Sequence, residues 1–374
     1  MDGIDDAVFA HVLDGNKRFR KEHWGLSNPE SIHIPEFVVV GCSDSRTSPE
    51  IITDSELGRI TAVRAIGQAF DDSTIASVIY PVRFQNTRKI VILAHTSCGA
   101  IKAAMNYKGS LGDPSLDATI GNIVSKIPGT TDSGRAAIAN AQGQLNTIIR
   151  THLIRRLLEE RKIDVGLMLY SLDTGKLKLI ECLGNESAFD PLIEGNKRFV
   201  GKNKDYKGLA WGQTPKAVVL ACSTAVVCPE LITDSKLGEM FTVRTVGGVL
   251  TRSAIASVGY GVDHLNTNRI VIMPHTECVA IKSAQEETGT LGDPALDRTI
   301  NIVRTTIRGY TDPAEAAMVN AHRQAQILSD NPVIRKAMKE KDLKIGIMMY
   351  DTTTGELRLS YTYDALKLKN KTKH

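Results

Sequence analysis

The sequence predicts an α/β protein built from two like domains, each a mainly parallel sheet flanked by helices. Three observations carry this reading. The chain repeats itself at a fixed interval, its apolar runs are short and β-branched, and good helix formers fill the stretches between them. "LDGNKRF" at 13–19 returns as "IEGNKRF" at 193–199, and "LGDPSLDATI" at 111–120 as "LGDPALDRTI" at 291–300. "YSLDTGKLKL" at 170–179 returns as "YDTTTGELRL" at 350–359, so every pair is 180 residues apart. That interval far exceeds the about 20–50 residues of stacked repeats, and it marks the duplication of a whole domain. The two repeats are residues 1–184 and 185–374. The join near "LGNESAFD", 183–190, is too short to let the halves swing freely, so they are expected to pack together as a covalent pseudo-dimer.

Within the first repeat, "EFVVVGC" (36–42) and "KIVILAH" (89–95) are continuous apolar runs bounded by polar or turn residues. Strands buried on both faces of a parallel sheet read this way. "DVGLMLYSLDTGKLKLIECL" (164–183) breaks at Asp173-Thr174-Gly175, a turn between two strand-like segments. "AAIANAQGQLNTIIRTHLIRRLLEERK" (136–162) carries apolar residues at three- and four-residue spacing and reads as helix. In open α/β sheets ligands gather where strands end and loops begin, and the chemically interesting residues fall at such points.

Composition excludes several classes. A 42% hydrophobic and 24% charged chain of 374 residues has the makeup of a globular protein with sizeable cores. A net charge of +4 over this length is too weak to argue for a nucleic-acid partner, so none is expected, and the basic tail "KLKNKTKH" reads as a solvated terminus. No apolar run reaches membrane-spanning length. The acidic opening "MDGIDDAVFAHVLDG" lacks the basic start and small-residue cleavage site of a signal peptide, so a cytoplasmic location is expected. Six cysteines in that compartment read as metal ligands or small buried hydrophobes rather than disulfides.

Cys42 ends the first strand-like run, and "HTSC" at the end of the other supplies His95 and Cys98. One imidazole and two thiolates suit tetrahedral Zn²⁺ with a fourth position open to water or substrate. The set recurs in register as Cys222, His275 and Cys278, so one zinc per repeat is expected. Cys182 and Cys228 do not recur, their counterparts being Thr362 and Ser48, and they read as bland; Cys228 as a fourth, site-closing ligand of the second set is the alternative. Asp44 and Arg46 lie two and four residues beyond Cys42, close enough to lean over the metal. The cation lowers the pKa of a bound water to roughly 7. A carboxylate can then aim that water, and an Arg fork can hold the carboxylate ionised. The second repeat has Thr224 and Val226 in their places, which points to a metal site that has lost its chemistry.

"GCSDSRTSPE", "AHTSCGAIKAA" and "LDGNKRF" resemble the signature segments of β-class carbonic anhydrases: C-x-D-x-R, H-x-x-C-G and the GN-x-R-F helix. The resemblance covers essentially both repeats. It implies Cys42, His95 and Cys98 as zinc ligands, Asp44–Arg46 as catalytic dyad, and interconversion of CO₂ and bicarbonate as the reaction. The chain departs from the family's R-N-x-G-N loop with "RAIGQ" at 64–68, and from its H-x-x-C-G with Val279 in the second repeat. In the resembling family the site lies at a dimer interface. On that pattern Phe241, Val246 and Tyr260 of the second repeat would wall the first site, while Thr61 and Ile66 would face the second. It also leaves room for two such chains to pair as a homodimer. The alternatives are hydrolysis of CS₂ or COS at the same zinc, and a zinc-binding or bicarbonate-sensing scaffold without turnover; the intact first set argues against the scaffold.

Overall fold

The computed structural model describes residues 6–22, 24, 34–127, 129–203, 206–286 and 289–364. The first repeat contributes strands β1 (Phe37–Gly41), β2 (Ile60–Arg64), β3 (Lys89–His95), β4 (Asp164–Tyr170) and β5 (Leu177–Leu183). The second contributes β6 (Ala217–Cys222), β7 (Met240–Thr245), β8 (Arg269–Met273), β9 (Lys344–Tyr350) and β10 (Leu357–Tyr363). All ten lie in one sheet, ordered β10-β9-β8-β6-β7-β2-β1-β3-β4-β5. Within each repeat four strands run parallel and the outermost is antiparallel. Every residue of β1 and β2 is buried; the apolar spelling of β1 suits a strand covered on both faces, while β2 (ITAVR) also buries Thr61 and Arg64. The helical stretch 136–162 divides in two, Ser133–Ile149 and His152–Glu159, because Thr151 takes an extended backbone (ψ 141°) and restarts the helix. No helix among the described residues is long and apolar enough to cross a membrane.

Strand order within a repeat reverses at β1, which pairs with β2 on one side and β3 on the other. Such a reversal opens a crevice at the carboxyl ends of the two strands that flank it. Cys42 follows β1 and His95 closes β3, so the fold delivers both to that crevice. β6 and β8 repeat the arrangement for Cys222 and His275.

The repeats meet where β2 pairs antiparallel with β7 at Arg64 and Arg244, equivalent residues in the duplication. Beyond that bridge, each metal-site loop runs along the other repeat. Thr242 N donates to Ser43 O (3.1 Å) and Gly238 N to Ser45 O (2.8 Å); Ala62 N donates to Ser223 O (3.1 Å) and Gly58 N to Ala225 O (2.9 Å). The "GNKRF" helices are exchanged as well. In helix Ala10–Glu22, Asn16 donates to Ile232 O and Gly355 O and accepts from Leu357 N. In helix Asp190–Lys202, Asn196 donates to Ile52 O and Gly175 O and accepts from Leu177 N. A Cβ on Gly15 or Gly195 would stand 1.8 Å from the Thr233 or Thr53 carbonyl oxygen, so only glycine lets these helices dock. The boundary at 184/185 thus divides the sequence but not the packing: the first helix docks on the second repeat, and the helix after the boundary docks on the first.

Asp71 caps a helix on each side of the join. Its Oδ1 accepts from Ser73 N (3.1 Å) and Thr74 N (3.3 Å) at the start of helix Asp72–Phe84. Its Oδ2 accepts from Ser253 N (2.8 Å) and Thr251 Oγ1 (2.7 Å) at the start of helix Arg252–Asp263. An aspartate at both positions would set two carboxylates against each other; the duplicated chain has Thr251 at the second. Asp71→Ala should therefore remove two caps at once and cost about 1–3 kcal/mol in urea unfolding, against about 1 kcal/mol or less for Thr251→Val.

Candidate metal centre

The ligand atoms of Cys42, His95 and Cys98 lie within 4.8 Å of one another, and so do those of Cys222, His275 and Cys278. All six residues are buried. Cys42 Sγ and Cys98 Sγ are 3.9 Å apart, close to the about 3.8 Å that two thiolates on one tetrahedral zinc subtend. His95 Nδ1–H donates to its neighbour's carbonyl, Thr96 O (2.9 Å), which leaves the lone pair on Nε2; His275 does the same with Thr276 O (2.7 Å). Both Nε2 atoms are buried without a hydrogen-bond partner. An orphaned acceptor beside two thiols is costly in a protein interior unless a cation completes it, so each set fits a zinc ion. The Cys98 thiol hydrogen-bonds Cys42 and pulls its titration well below the ordinary thiol range, with Cys98 itself pushed up, so the pair gives up its first proton readily. Cys222 and Cys278 behave alike. Gly67 N donates to Cys42 Sγ (3.3 Å), fixing the sulfur from behind.

Among the described residues, only the first set has a charged pair from its own loop beside it. Arg46 Nε donates to Asp44 Oδ1 (2.7 Å) and Nη2 to Oδ2 (2.5 Å), a two-point fork. Arg46 is anchored in turn by Ser97 O (3.2 Å) and Leu209 O (3.0 Å). Asp44 Oδ2 stands 4.0 Å from His95 Nε2. Burial pushes the Asp44 carboxyl up, but the Arg46 fork outweighs it, holds it below the usual carboxylate value and keeps it ionised. In the second repeat Thr224 and Val226 occupy these positions, and the Thr224 carbonyl is taken by Arg244 Nη2 (2.8 Å). Cys228 lies outside the metal set: its Sγ is 3.6 Å from Glu230 Oε2, the place of Ser48 beside Glu50 in the first repeat. The fourth-ligand alternative for Cys228 therefore falls.

The second repeat reaches into the first site. Gln213 Nε2 donates to Asp44 Oδ2 (3.0 Å), while its Oε1 accepts from Ser45 N (2.9 Å) and Ser45 Oγ (2.7 Å). Gln213 escaped the sequence reading; the signal available was its counterpart, His33, which differs in type and lies outside the described residues. Phe241 groups with Cys42 and Cys98 in one apolar cluster and stacks on Tyr260 (centroids 6.0 Å, 29°). The Tyr260 hydroxyl comes so near Gly99 that a Cβ there would stand 2.4 Å from it. Burial, and then the two site-one thiols, push the Tyr260 phenol up, so it remains a protonated donor. Val246 needs a correction. It clusters with Cys222 and Cys278, and Ile66 clusters with Cys42 and Cys98, the reverse of the expectation. The cause is local. These residues open the tight turns after β7 and β2, beside their own repeat's ligands, and the Ile66 turn is held there through Gly67 N on Cys42; what crosses the join is their backbone, Val246 N donating to Ser77 Oγ (2.7 Å) and Ile66 N to Ser257 Oγ (2.9 Å).

At the second site the same contacts have changed. Tyr80, the counterpart of Tyr260, bonds Ser283 Oγ (3.0 Å), and Val279 stands in place of Gly99. Gly99→Ala should accordingly crowd Tyr260 and cost about 1–3 kcal/mol in urea unfolding. Adding Tyr260→Phe, which deletes the crowded oxygen, should recover part of that loss; equal cost with and without the hydroxyl would mean the contact is not what Gly99 serves.

The carbonic anhydrase family model matches residues 37–177 and 217–357, one match per repeat and together well over half of the chain. Over 106 residues the chain is 40% identical to carbonic anhydrase 2 of Mycobacterium tuberculosis, covering 26% of this chain and 51% of that protein. It is 36% identical over 108 residues to the carbonic anhydrase of Mycolicibacterium smegmatis, covering 27% and 52%. The Pseudomonas aeruginosa carbonic anhydrase is 26% identical over 186 residues, covering 44% and 84%. The chain thus spans about half the length of the mycobacterial relatives. Among solved structures, a tetrameric β-carbonic anhydrase from Sordaria macrospora is similar at 23% identity and TM-score 0.42, over 46% of this chain and 97% of that one. The Coccomyxa β-carbonic anhydrase, solved with acetazolamide, is similar at 21% identity and TM-score 0.42, over 49% and 91%. With the C-x-D-x-R and H-x-x-C motifs set on one crevice and the family match falling once on each repeat, the chain belongs to the β-class carbonic anhydrase family, which it carries as two fused copies.

Proposed function

We propose that this chain hydrates CO₂ reversibly to bicarbonate at the first repeat alone, as a covalent pseudo-dimer whose second repeat completes the reacting site. The observation that carries this is the Asp44 carboxylate, ionised, forked by Arg46, steadied by Gln213, and 4.0 Å from the open nitrogen of His95. Cys42, His95 and Cys98 would hold zinc, which supplies the Lewis acidity that makes a water nucleophilic near neutral pH. Asp44 would accept an O–H of that water and aim its lone pair, because four donors, Arg46 N, Nε and Nη2 with Gln213 Nε2, fix the carboxylate in one orientation. Arg46 is the positioning residue that keeps Asp44 charged. Phe241 and Tyr260 close the far wall, and an apolar face suits a small linear substrate without charge. Cys222, His275 and Cys278 would hold zinc without chemistry, since Thr224 and Val226 stand where the first repeat has Asp44 and Arg46.

Asp44→Asn should keep its zinc, lose CO₂ hydration by on the order of 100-fold or more, and leave the fold intact. Thr224→Ala should leave turnover unchanged. Stopped-flow hydration read beside the zinc content of each variant decides the matter; an active Asp44→Asn chain would remove the carboxylate from the reaction.

A further inference from the structure

Four charged side chains lie at the centre of the join, all fully buried: Arg64 with Glu230, and Arg244 with Glu50. Each pair spans the two repeats, so each arginine is neutralised by the repeat it does not belong to. The rest of each guanidinium is spent on its own metal loop. Arg64 Nε donates to Cys42 O (3.0 Å) and Nη2 to Asp44 O (2.8 Å). Arg244 Nε donates to Cys222 O (3.2 Å), and Nη2 to Thr224 O (2.8 Å) and Ser223 O (3.3 Å). In both repeats the carbonyls so held include that of a ligand cysteine and that of the residue two further on, the dyad carboxylate in one repeat and its threonine replacement in the other; Arg244 also takes the Ser223 carbonyl between them.

We infer that the two metal sites are clamped crosswise: Glu230 of the second repeat positions the Cys42–Asp44 loop through Arg64, and Glu50 of the first positions the Cys222–Thr224 loop through Arg244. A planar guanidinium has five donors in a fixed fork, so turning one edge turns the others. Removing the carboxylate that orients Arg64 frees the fork to rotate, and the Cys42 and Asp44 carbonyls lose their donors. Groups that orient a metal ligand from beyond it change metal affinity by roughly 10–100-fold when lost, and here the carboxylate acts through the arginine on the ligand residue's own carbonyl. The two clamps are unequal. Glu230 Oε1 also accepts from Thr242 Oγ1 (2.7 Å), whereas the residue equivalent to Thr242 is Ala62, which has no hydroxyl to offer Glu50. The better-braced carboxylate serves the repeat that keeps Asp44 and Arg46. Glu230 and Thr242 are thus positioning residues for a site in which neither takes part chemically, and they give the second repeat a task that survives the loss of its own dyad.

The inference rests on zinc occupying the Cys-His-Cys sets, and its test reads zinc rather than turnover. Full-length chains carrying Cys222→Ser keep only the first site, and chains carrying Cys42→Ser keep only the second. In each parent, zinc affinity is measured by competition with a chromophoric chelator, with and without Glu230→Gln or Glu50→Gln. The crossed clamp predicts that Glu230→Gln weakens the first site about 10-fold or more, with a several-fold smaller effect on the second, and that Glu50→Gln does the reverse. Thr242→Ala, a milder change that should fold even if the glutamine variants do not, is expected to weaken the first site alone by about 2–5-fold. Equal weakening of both sites by each substitution would show a general loss of stability and overturn the inference, as would a Thr242→Ala chain with unaltered first-site affinity. Single-site parents that bind no zinc at all would overturn the zinc reading together with it.

Discussion

Everything in this molecule is arranged about four buried charges on the line where β2 meets β7. Taking two arginines and two glutamates out of water costs several kcal/mol per ion, and mutual attraction offsets this only when the geometry is good and the remaining donors are used. Here they are used on the backbone of the two metal loops. Burial pushes the Glu230 carboxyl up, but Arg64 and the Thr242 hydroxyl outweigh it and hold it below the usual glutamate value. The quartet fixes the register of the join, since sliding β2 one residue against β7 would leave both arginines facing apolar neighbours with uncompensated charge. With the register fixed, Gln213 falls on Asp44 and Tyr260 on Gly99.

Joining the two copies in one chain lets equivalent positions diverge, which a symmetric pair of identical subunits cannot do. Divergence follows which site a residue faces rather than which repeat it belongs to. Around the first site the chain keeps Asp44, Arg46 and Gly99 from one repeat, with Gln213, Phe241 and Tyr260 from the other. Their counterparts Thr224, Val226, Val279, His33 and Thr61 are relaxed, and only Tyr80 keeps the residue type, with its hydroxyl turned to Ser283. The metal ligands themselves did not diverge. Two thiols and an imidazole with no metal would leave an orphaned buried nitrogen in either half, so retention of Cys222, His275 and Cys278 needs no chemistry at the second site to explain it.

Local pattern made much of this legible. The 180-residue echo exposed the duplication, the β-branched runs gave the parallel strands, and the spacing of His95 and Cys98 with Cys42 at a neighbouring strand end gave the ligand set. Asp44 and Arg46 could be read because they lie on the same loop as Cys42. What stayed hidden was partnership across the join. Gln213 meets Asp44 from 169 residues away, and Asn16 reads the Gly355 carbonyl from 339 away; no periodicity records either. Glu50 and Glu230 stood in plain view inside "TSPE" and "VCPE", yet nothing local says that each neutralises an arginine of the other copy. Val246 went astray for the same reason. Phe241 lies within a strand at the join and its cluster includes Cys42 and Cys98, whereas Val246 begins the turn after that strand and clusters with Cys222 and Cys278, only its N–H reaching Ser77 Oγ across the join.

The claim on which the account stands is that a single site reacts although two hold metal. Stopped-flow CO₂ hydration by the two single-site chains, full length and with zinc quantified, tests it most directly. The Cys222→Ser chain should carry about one zinc and retain most of the parental rate, while the Cys42→Ser chain should carry about one zinc and hydrate CO₂ no faster than buffer. Turnover by a zinc-loaded Cys42→Ser chain would contradict the account, because the Thr224 site would then be doing the work assigned to Asp44 and Arg46.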